Sequence, residues 1–440
     1  MNFRRTNGLG PFLILTFTFF IVGFMTIVNG QCQGPLKIAF LEHAGHLKNT
    51  FTTLISFCYF LGFLVCSPIS GRWINRYGYK TPLLRGLSGM VAGLTVYFVS
   101  SWIADSGNNA GLQIGDALIP YGFFVFILGS FLMGSSAALV QTVILPYVSA
   151  CDLPNTQPVQ RVNITSAANS FGTTIAPFFV TVVLFGGIPL DRADAGQLMI
   201  PFLAVALCIA LTRFVVGRLP LPDIKDTRAA QSAASGRSIW SFRHLRLGVV
   251  AVFFYVGAEV AVGQNVNLYA MELEKMGEGL SFLGSERFML GNLHLGIPAL
   301  LATLYWGGLM VGRIISGFFN TVSARVQLTA ASVSATLLTL AAMLTNNLWM
   351  LVCVGLCHSV MWGCIFTLAV DKLKHYTSKA SGIFMTGVFG GAVIPVLQGF
   401  FADMLGAWQW TWTIVIVCEL VILYYALRGS RVQEEEIAGL

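Results

Sequence analysis

Tyr59-Phe60-Leu61-Gly62, followed by Ile69-Ser70-Gly71, and Tyr305-Trp306-Gly307-Gly308, followed by Ile315-Ser316-Gly317, repeat one pattern at one internal spacing. A second pair keeps step with the first. Phe171-Gly172, four residues and Pro177 recur as Phe389-Gly390, four residues and Pro395. One short match is within chance. Two matches at equivalent places, each pair six hydrophobic segments apart, imply that the second half of the chain duplicates the first.

Those segments are membrane spans. Of 440 residues, 55% are hydrophobic and 10% charged, with a mean hydropathy of +0.74. Soluble domains carry about 25% charged residues, so a water-exposed surface cannot be built from this chain. Crossing a bilayer takes about 20 mostly apolar residues. Such runs occur near 11–40, 50–69, 83–102, 119–147, 162–187 and 198–217, then near 247–271, 296–320, 326–344, 347–370, 381–402 and 409–427. The first run, with Arg4 and Arg5 ahead of it, has the charged start of a signal peptide. It lacks a small-residue cleavage site and runs too long, so it reads as the first spanning helix.

Charge sets the orientation. An even number of spans puts both termini on one side, and cytoplasmic loops are rich in Lys and Arg. With the termini inside, only Lys37, Lys48, Arg192, Lys275 and Arg287 of the 26 basic residues fall outside. The net charge of +7 is not gathered into a stripe or tail, so nucleic acid is not expected as a partner. Nine cysteines is an odd number, and Cys58, Cys66, Cys208, Cys353, Cys357, Cys364 and Cys418 lie in apolar runs. They read as small buried hydrophobes, with no disulfide framework, metal or cofactor expected.

The expected fold is an all-α membrane protein of about twelve transmembrane helices in two pseudo-symmetric six-helix bundles. Residues 1–218 form the first bundle, the polar and basic segment 219–246 a cytoplasmic linker, and 247–440 the second bundle with a short cytoplasmic tail. Parallel halves with a substrate site near the midplane describe the major facilitator fold, in a bacterial inner membrane. The repeated glycines read as close-packing positions rather than site residues, because small residues let helices approach in lipid.

Polar groups inside the spans are the functional candidates, since a centrally placed charge costs about 2.5–3.5 kcal/mol even on lenient scales. Glu259 in the seventh span and Glu419 in the twelfth are the two carboxylates well inside. Glu259 shares a helix with Gln264, Asn265 and Asn267, and a helical projection puts Glu259, Gln264 and Asn267 on one broad side. Glu419 stands among Val, Ile and Leu and is the weaker candidate. On the first span Thr26, Asn29 and Gln33 follow i, i+3, i+7; on the fifth, Ser166, Asn169 and Thr173 repeat that spacing with Asn163 a turn earlier. Gln141 is a lone amide in the fourth span, and His358 and Trp362 lie i, i+4 on the tenth. Each alone reads as a helix–helix hydrogen bond, worth about 0.6 kcal/mol. Together, amides and an indole from five helices suit a neutral polyhydroxylated ligand. Arg313 reads as a cytoplasmic helix-end charge, so no cluster of buried Arg suits an anionic substrate.

The loop Gly71-Arg72-Trp73-Ile74-Asn75-Arg76-Tyr77-Gly78-Tyr79-Lys80 resembles the major facilitator signature between the second and third helices, with Asn75 where an Asp is usual. Arg161 through Gly172, Phe254-Tyr255-Val256-Gly257-Ala258-Glu259-Val260, Tyr305 to Gly308 and Met385-Thr386 through Pro395 resemble the fucose–proton symporter family, from Phe19 to about Leu405. The resemblance implies uptake of a fucose-, glucose- or galactose-like monosaccharide, usually with a proton, and puts Asn169 and Gln141 at positions facing the sugar. Three departures stand out. The Asn-Asp pair of the first helix is Asn29-Gly30; Gln141 replaces the fucose carrier's Glu, as in the glucose/galactose branch; and the tenth-helix pattern has become His358 through Cys364. With both familiar acids absent, Glu259 is the expected proton-coupling residue. The alternatives are a uniporter in which Glu259 binds hydroxyls, a multidrug-type exporter, and a transporter-derived sensor. A membrane enzyme would need clustered His, Asp and Glu, which the spans lack. A monomer is expected.

Overall fold

Without water in the bilayer core, each span must satisfy its own backbone hydrogen bonds, and a helix does so within one segment. The computed structural model describes residues 8–433 apart from 43, 107–109, 115–116, 152, 155, 157, 185–194, 220–237, 278–280, 282–286, 291–292, 317–321, 374–375, 377–379 and 381–382. Twelve helices there are long and apolar enough to cross a membrane. They are α1 (Leu9–Phe40), α2 (Gly45–Ile74), α3 (Lys80–Asp105), α4 (Tyr121–Val148), α5 (Ile164–Leu184) and α6 (Gly196–Arg218) in the first half. In the second half they are α7 (Arg243–Lys275), α8 (Ile297–Ile315), α9 (Ala324–Thr345), α10 (Trp349–Ala369), α11 (Met385–Leu405) and α12 (Gln409–Gly429). Most of the expected linker, residues 220–237, lies outside the described residues.

The halves repeat each other in packing. In the first, α1 packs on α5, α2 on α4, and α3 on α4 and α6. Displaced by six helices, α7 packs on α11, α8 on α10, and α9 on α10 and α12. Between the halves, α2 meets α11 and α5 meets α8, two contacts that a twofold axis would exchange.

The glycines explain how these contacts come so close. A Cβ built on Gly134 would collide with the Tyr59 carbonyl oxygen, and one on Gly355 would collide with that of Tyr305. Tyr59 and Tyr305 open the repeated pattern of α2 and α8. Likewise a Cβ on Gly172 would lie 2.6 Å from the Phe20 carbonyl, and one on Gly390 would run into that of Phe253. In both halves the repeated glycine thus lets a helix rest on a neighbour's backbone, which is how apolar helices gain contact in lipid.

Three features depart from uniform spans. Leu9–Phe40 is a helix to Gln31 and a second short helix from Gln33, interrupted at Cys32. In α5, Pro177 removes a backbone donor and a π-turn, Val180–Leu184, follows. Two antiparallel hairpins, β1–β2 (Gly111–Ile114 with Ala117–Pro120) and β3–β4 (Arg287–Leu290 with Leu293–Gly296), stand in the connections before α4 and α8, where the sequence suggested no strands.

The basic loop after α2 has a local role. The α2 helix continues to Tyr77 and stops at Gly78, whose φ of 71° suits glycine. Lys80 Nζ donates to the carbonyls of Gly217 and Leu219 at 3.0 and 2.8 Å, closing the end of α6. Arg85 stacks over Trp73 and Tyr77. The side chain of Asn75 lies outside the described residues. All nine cysteines are unpaired.

Candidate functional site

The polar interior begins at the interruption of α1. Beyond Cys32 the chain carries Gln33 between the halves, where its Nε2 donates to Ser56 Oγ of α2 at 2.6 Å and to Gln264 Oε1 of α7 at 3.4 Å. Ser56 Oγ also donates to Gln264 Oε1. Just before the interruption, Gln31 Nε2 donates to the Gly263 carbonyl at 2.9 Å, and Asn267 Nδ2 donates to Gln31 Oε1 at 3.4 Å. On the other side of α7, Asn265 Nδ2 donates to Gln398 Oε1 of α11 at 2.9 Å. Gln33 Oε1, Asn265 Oδ1, Asn267 Oδ1 and Gln398 Nε2 are buried with no hydrogen-bond partner among the described residues. Native interiors rarely leave such groups bare, so each marks capacity for a ligand or water.

Gly30 makes this cluster possible. A Cβ there would overlap Gln264 Cδ and its Nε2. The position where the resemblance leads one to expect an acid is therefore occupied by an amide from the other half of the molecule.

A second group of side chains faces α8. Glu259 Oε1 is 4.0 Å from an Arg313 guanidinium nitrogen, with the two side chains 13% and 40% exposed. Arg313 also donates to Ser170 Oγ of α5 at 2.7 Å. Two expectations change here. Arg313 does sit in the last turn of α8, yet it pairs with Glu259 and bridges to the first half. And Glu259, placed on one broad side with Gln264 and Asn267, has a different partner: it meets Arg313 of α8, while they close on α1 and α2.

A third group is wholly enclosed. His358 Nε2 is 2.7 Å from Glu419 Oε1, and neither side chain is exposed. His358 Nδ1 is 2.6 Å from the Tyr305 hydroxyl, which lies 3.0 Å from the Glu259 carbonyl oxygen. Tyr255 donates to the His358 carbonyl at 3.1 Å. Glu419, the weaker candidate from sequence, is thus partnered by the His358 assigned above to substrate.

The remaining candidates divide by burial. Thr26 Oγ1 donates to the Val22 carbonyl at 2.7 Å, so at its 2.7 Å contact with Tyr59 it must accept. Asn29 turns into the first bundle, where Tyr97 and Ser130 both donate to its Oδ1. The expected single face of α1 is therefore split: Thr26 and Gln33 meet α2, and Asn29 meets α3 and α4. Asn169 Nδ2 donates to the Phe19 carbonyl at 2.8 Å, fastening α5 to α1. Gln141 is half-buried with no hydrogen bond to the described residues, and half-buried Trp362 touches Tyr255 and Phe384. The side chain of Asn163 lies outside the described residues.

Sequence reasoning passed over Gln31, Ser56, Tyr97, Tyr255, Tyr305 and Gln398. Gln31 stands off the i, i+3, i+7 face of α1, and its bonds to α7 leave no mark in residue spacing. The His358–Glu419 pair did have a signal: each residue sits within a residue of the midpoint of its span, Trp349–Ala369 and Gln409–Gly429. Two ionisable groups at one depth in one bundle are partners by default.

Two six-helix bundles related by a twofold, with polar side chains converging on their junction, define a membrane transporter of the paired-bundle class. The Major Facilitator Superfamily model matches residues 19–394, and the chain belongs to that family. Among curated relatives, the glucose/galactose transporter of Brucella abortus is 29% identical over 424 residues, covering 95% of this chain and 93% of its own length. The L-fucose-proton symporter of Escherichia coli is 23% identical over 448 residues, covering 94% and 92%. Among solved structures, a variant of the E. coli fucose:proton symporter FucP aligns with a TM-score of 0.61 at 20% identity, over 97% of this chain and 100% of its own. The inward-open xylose transporter XylE from E. coli aligns with a TM-score of 0.71 at 12% identity, over 98% and 99%.

Proposed function

We propose that this protein imports a neutral hexose of the glucose, galactose or fucose type by proton symport across a bacterial inner membrane, as a monomer with both termini cytoplasmic. The observation that carries the reading is the amide cluster at the junction of the halves, with bare polar atoms on Gln33 and Asn267, and the Asn265–Gln398 pair beside it on the other side of α7 with bare atoms of its own. Amides offer both donors and acceptors, which hydroxyls need and which charged substrates do not. The names of the relatives point to the same substrate class. Half-buried Gln141 and Trp362 add a further amide and an aromatic face.

Coupling is assigned to Glu259. Its ion pair with Arg313 extends to Ser170 on α5, so a change in the charge of Glu259 is felt where the two halves touch. A uniporter is the second reading, in which Glu259 only positions Arg313. An exporter or a sensor has no observation in its favour. The test is counterflow in proteoliposomes with a panel of labelled monosaccharides. Exchange of glucose, galactose or fucose, inhibited by the unlabelled sugar, supports the reading; binding without exchange indicates a sensor, and no response to any hexose sinks it.

A further inference from the structure

We infer that His358 and Glu419 form a second, fully enclosed proton-binding site, whose occupancy Tyr305 reports to the backbone of α7 at Glu259. This deepens the coupling proposed above and rests on it for its purpose, while the proton site itself is measurable without any sugar.

The Tyr305 hydroxyl has one proton and two neighbours that can accept it: His358 Nδ1 at 2.6 Å and the Glu259 carbonyl at 3.0 Å. If it donates to His358 Nδ1, the imidazole is the Nε2–H tautomer and donates to a Glu419 carboxylate 2.7 Å away. The pair then has a net charge of −1, and the Glu259 carbonyl receives nothing from Tyr305. Adding one proton reverses the chain. His358 Nδ1 then bears hydrogen and donates to the Tyr305 oxygen, freeing the hydroxyl to donate to the Glu259 carbonyl. A proton remains between Nε2 and Oε1, and the pair is neutral as a whole. No bond other than hydrogen bonds is remade. The state of the pair thus decides whether a carbonyl in the middle of α7 is held by α8.

The surroundings suit such a site. Glu419 and His358 are 0% exposed, and Glu419 Oε2 has no hydrogen-bond partner among the described residues. Nothing else among those residues satisfies a full negative charge. The titratable neighbours are Glu259 and Tyr255 from α7, Tyr305 and Arg313 from α8, Cys357 from α10 and Cys418 from α12. Arg313 is the one cation among them, and it is engaged with Glu259 and Ser170. From α9 the titratable residue is Arg325, held by Ser430 at one end of the helix. The chain Glu419–His358–Tyr305 therefore ends at the backbone of Glu259, whose carboxylate meets Arg313.

The test is a pH-difference infrared spectrum of the full-length protein in lipid, without sugar, between about pH 5 and about pH 9. The expected result is a carboxyl signal that survives Glu259→Gln, is lost in Glu419→Gln, and is accompanied by an imidazole signal lost in His358→Gln. Tyr305→Phe, which removes the shared hydroxyl with little change of shape, is expected to keep the carboxyl signal and move its midpoint. A carboxyl signal removed entirely by Glu259→Gln and untouched by Glu419→Gln would overturn the inference. Should the Glu419 variant fail to fold, an unchanged midpoint in Tyr305→Phe would overturn it equally. A wild type that shows these signals but no sugar counterflow sinks the sugar reading and leaves the proton site standing.

Discussion

Gly30 decides the chemistry of the junction by having no side chain. Gln264 fills the space a Cβ would need, and from there it accepts from Ser56 and Gln33. Gly30→Ala should therefore displace the amide and lower thermal stability by about 1–3 kcal/mol, the cost of overfilling a packed interior. The same substitution in a Gln264→Ala background should cost much less, because neighbours that share a space are not additive. A double-mutant cycle in melting temperature checks this; additive effects would contradict it. Gln141 predicts the opposite pattern. With no hydrogen bond to the described residues, Gln141→Ala should leave stability unchanged and weaken hexose binding by about 1–3 kcal/mol in calorimetry. At this scale the sequence was legible in kind and less so in partnership. It named Gln33, Gln264, Asn267, Glu259 and His358, since polar residues in apolar runs are visible without coordinates. The equal depth of His358 and Glu419 in their spans hinted at that pair, but nothing in the spacing joined Glu259 to Arg313, because that pairing depends on which helices are neighbours.

At the scale of helices, one carboxylate ties the halves together on the face away from the termini. Asp403 at the end of α11 accepts from the backbone N–H groups of Asn49 and Thr50 at 2.9 and 2.7 Å, and from Thr50 Oγ1 at 2.6 Å. It thus caps the first turn of α2, in the other half, where the helix dipole favours a negative charge. Close to it, a Cβ on Gly399 would lie 2.7 Å from Thr53 Oγ1 and 2.9 Å from the Asn49 carbonyl, so α11 and α2 also touch by backbone. Asp403→Ala should cost this closed contact about 0.5–2 kcal/mol, the usual value of a lost cap. That shifts the population toward the state open on that face, seen as faster labelling of a cysteine placed at Asn49; an unchanged rate would argue against the cap. The repeat was legible here because glycines that meet a backbone are irreplaceable in both copies. The interruption at Cys32 and the two hairpins were not, since four-residue strands and a one-residue break are too short to impose a period.

For the whole molecule, the contacts α2–α11 and α5–α8 are the two seams along which the halves can rock. Glu259, Arg313 and Ser170 lie on the second seam, and the amide cluster lies beside the first. In the proposed mechanism, a substrate on the amides and a proton on Glu259 would act on different seams of one rigid-body motion, which would link their binding. The proposed orientation makes its own prediction. In a chain freed of native cysteines, a cysteine at Ser235, between α6 and α7, should react with impermeant maleimide from the cytoplasmic side only. Labelling from the periplasm would reverse the topology. The central claim, proton-coupled hexose uptake, is tested most directly by accumulation of the labelled sugar in proteoliposomes under an imposed pH gradient, acidic outside. The wild type should concentrate the sugar above equilibrium, and Glu259→Gln should only equilibrate it while keeping counterflow exchange; a wild type that merely equilibrates the sugar, gradient or not, would contradict the account.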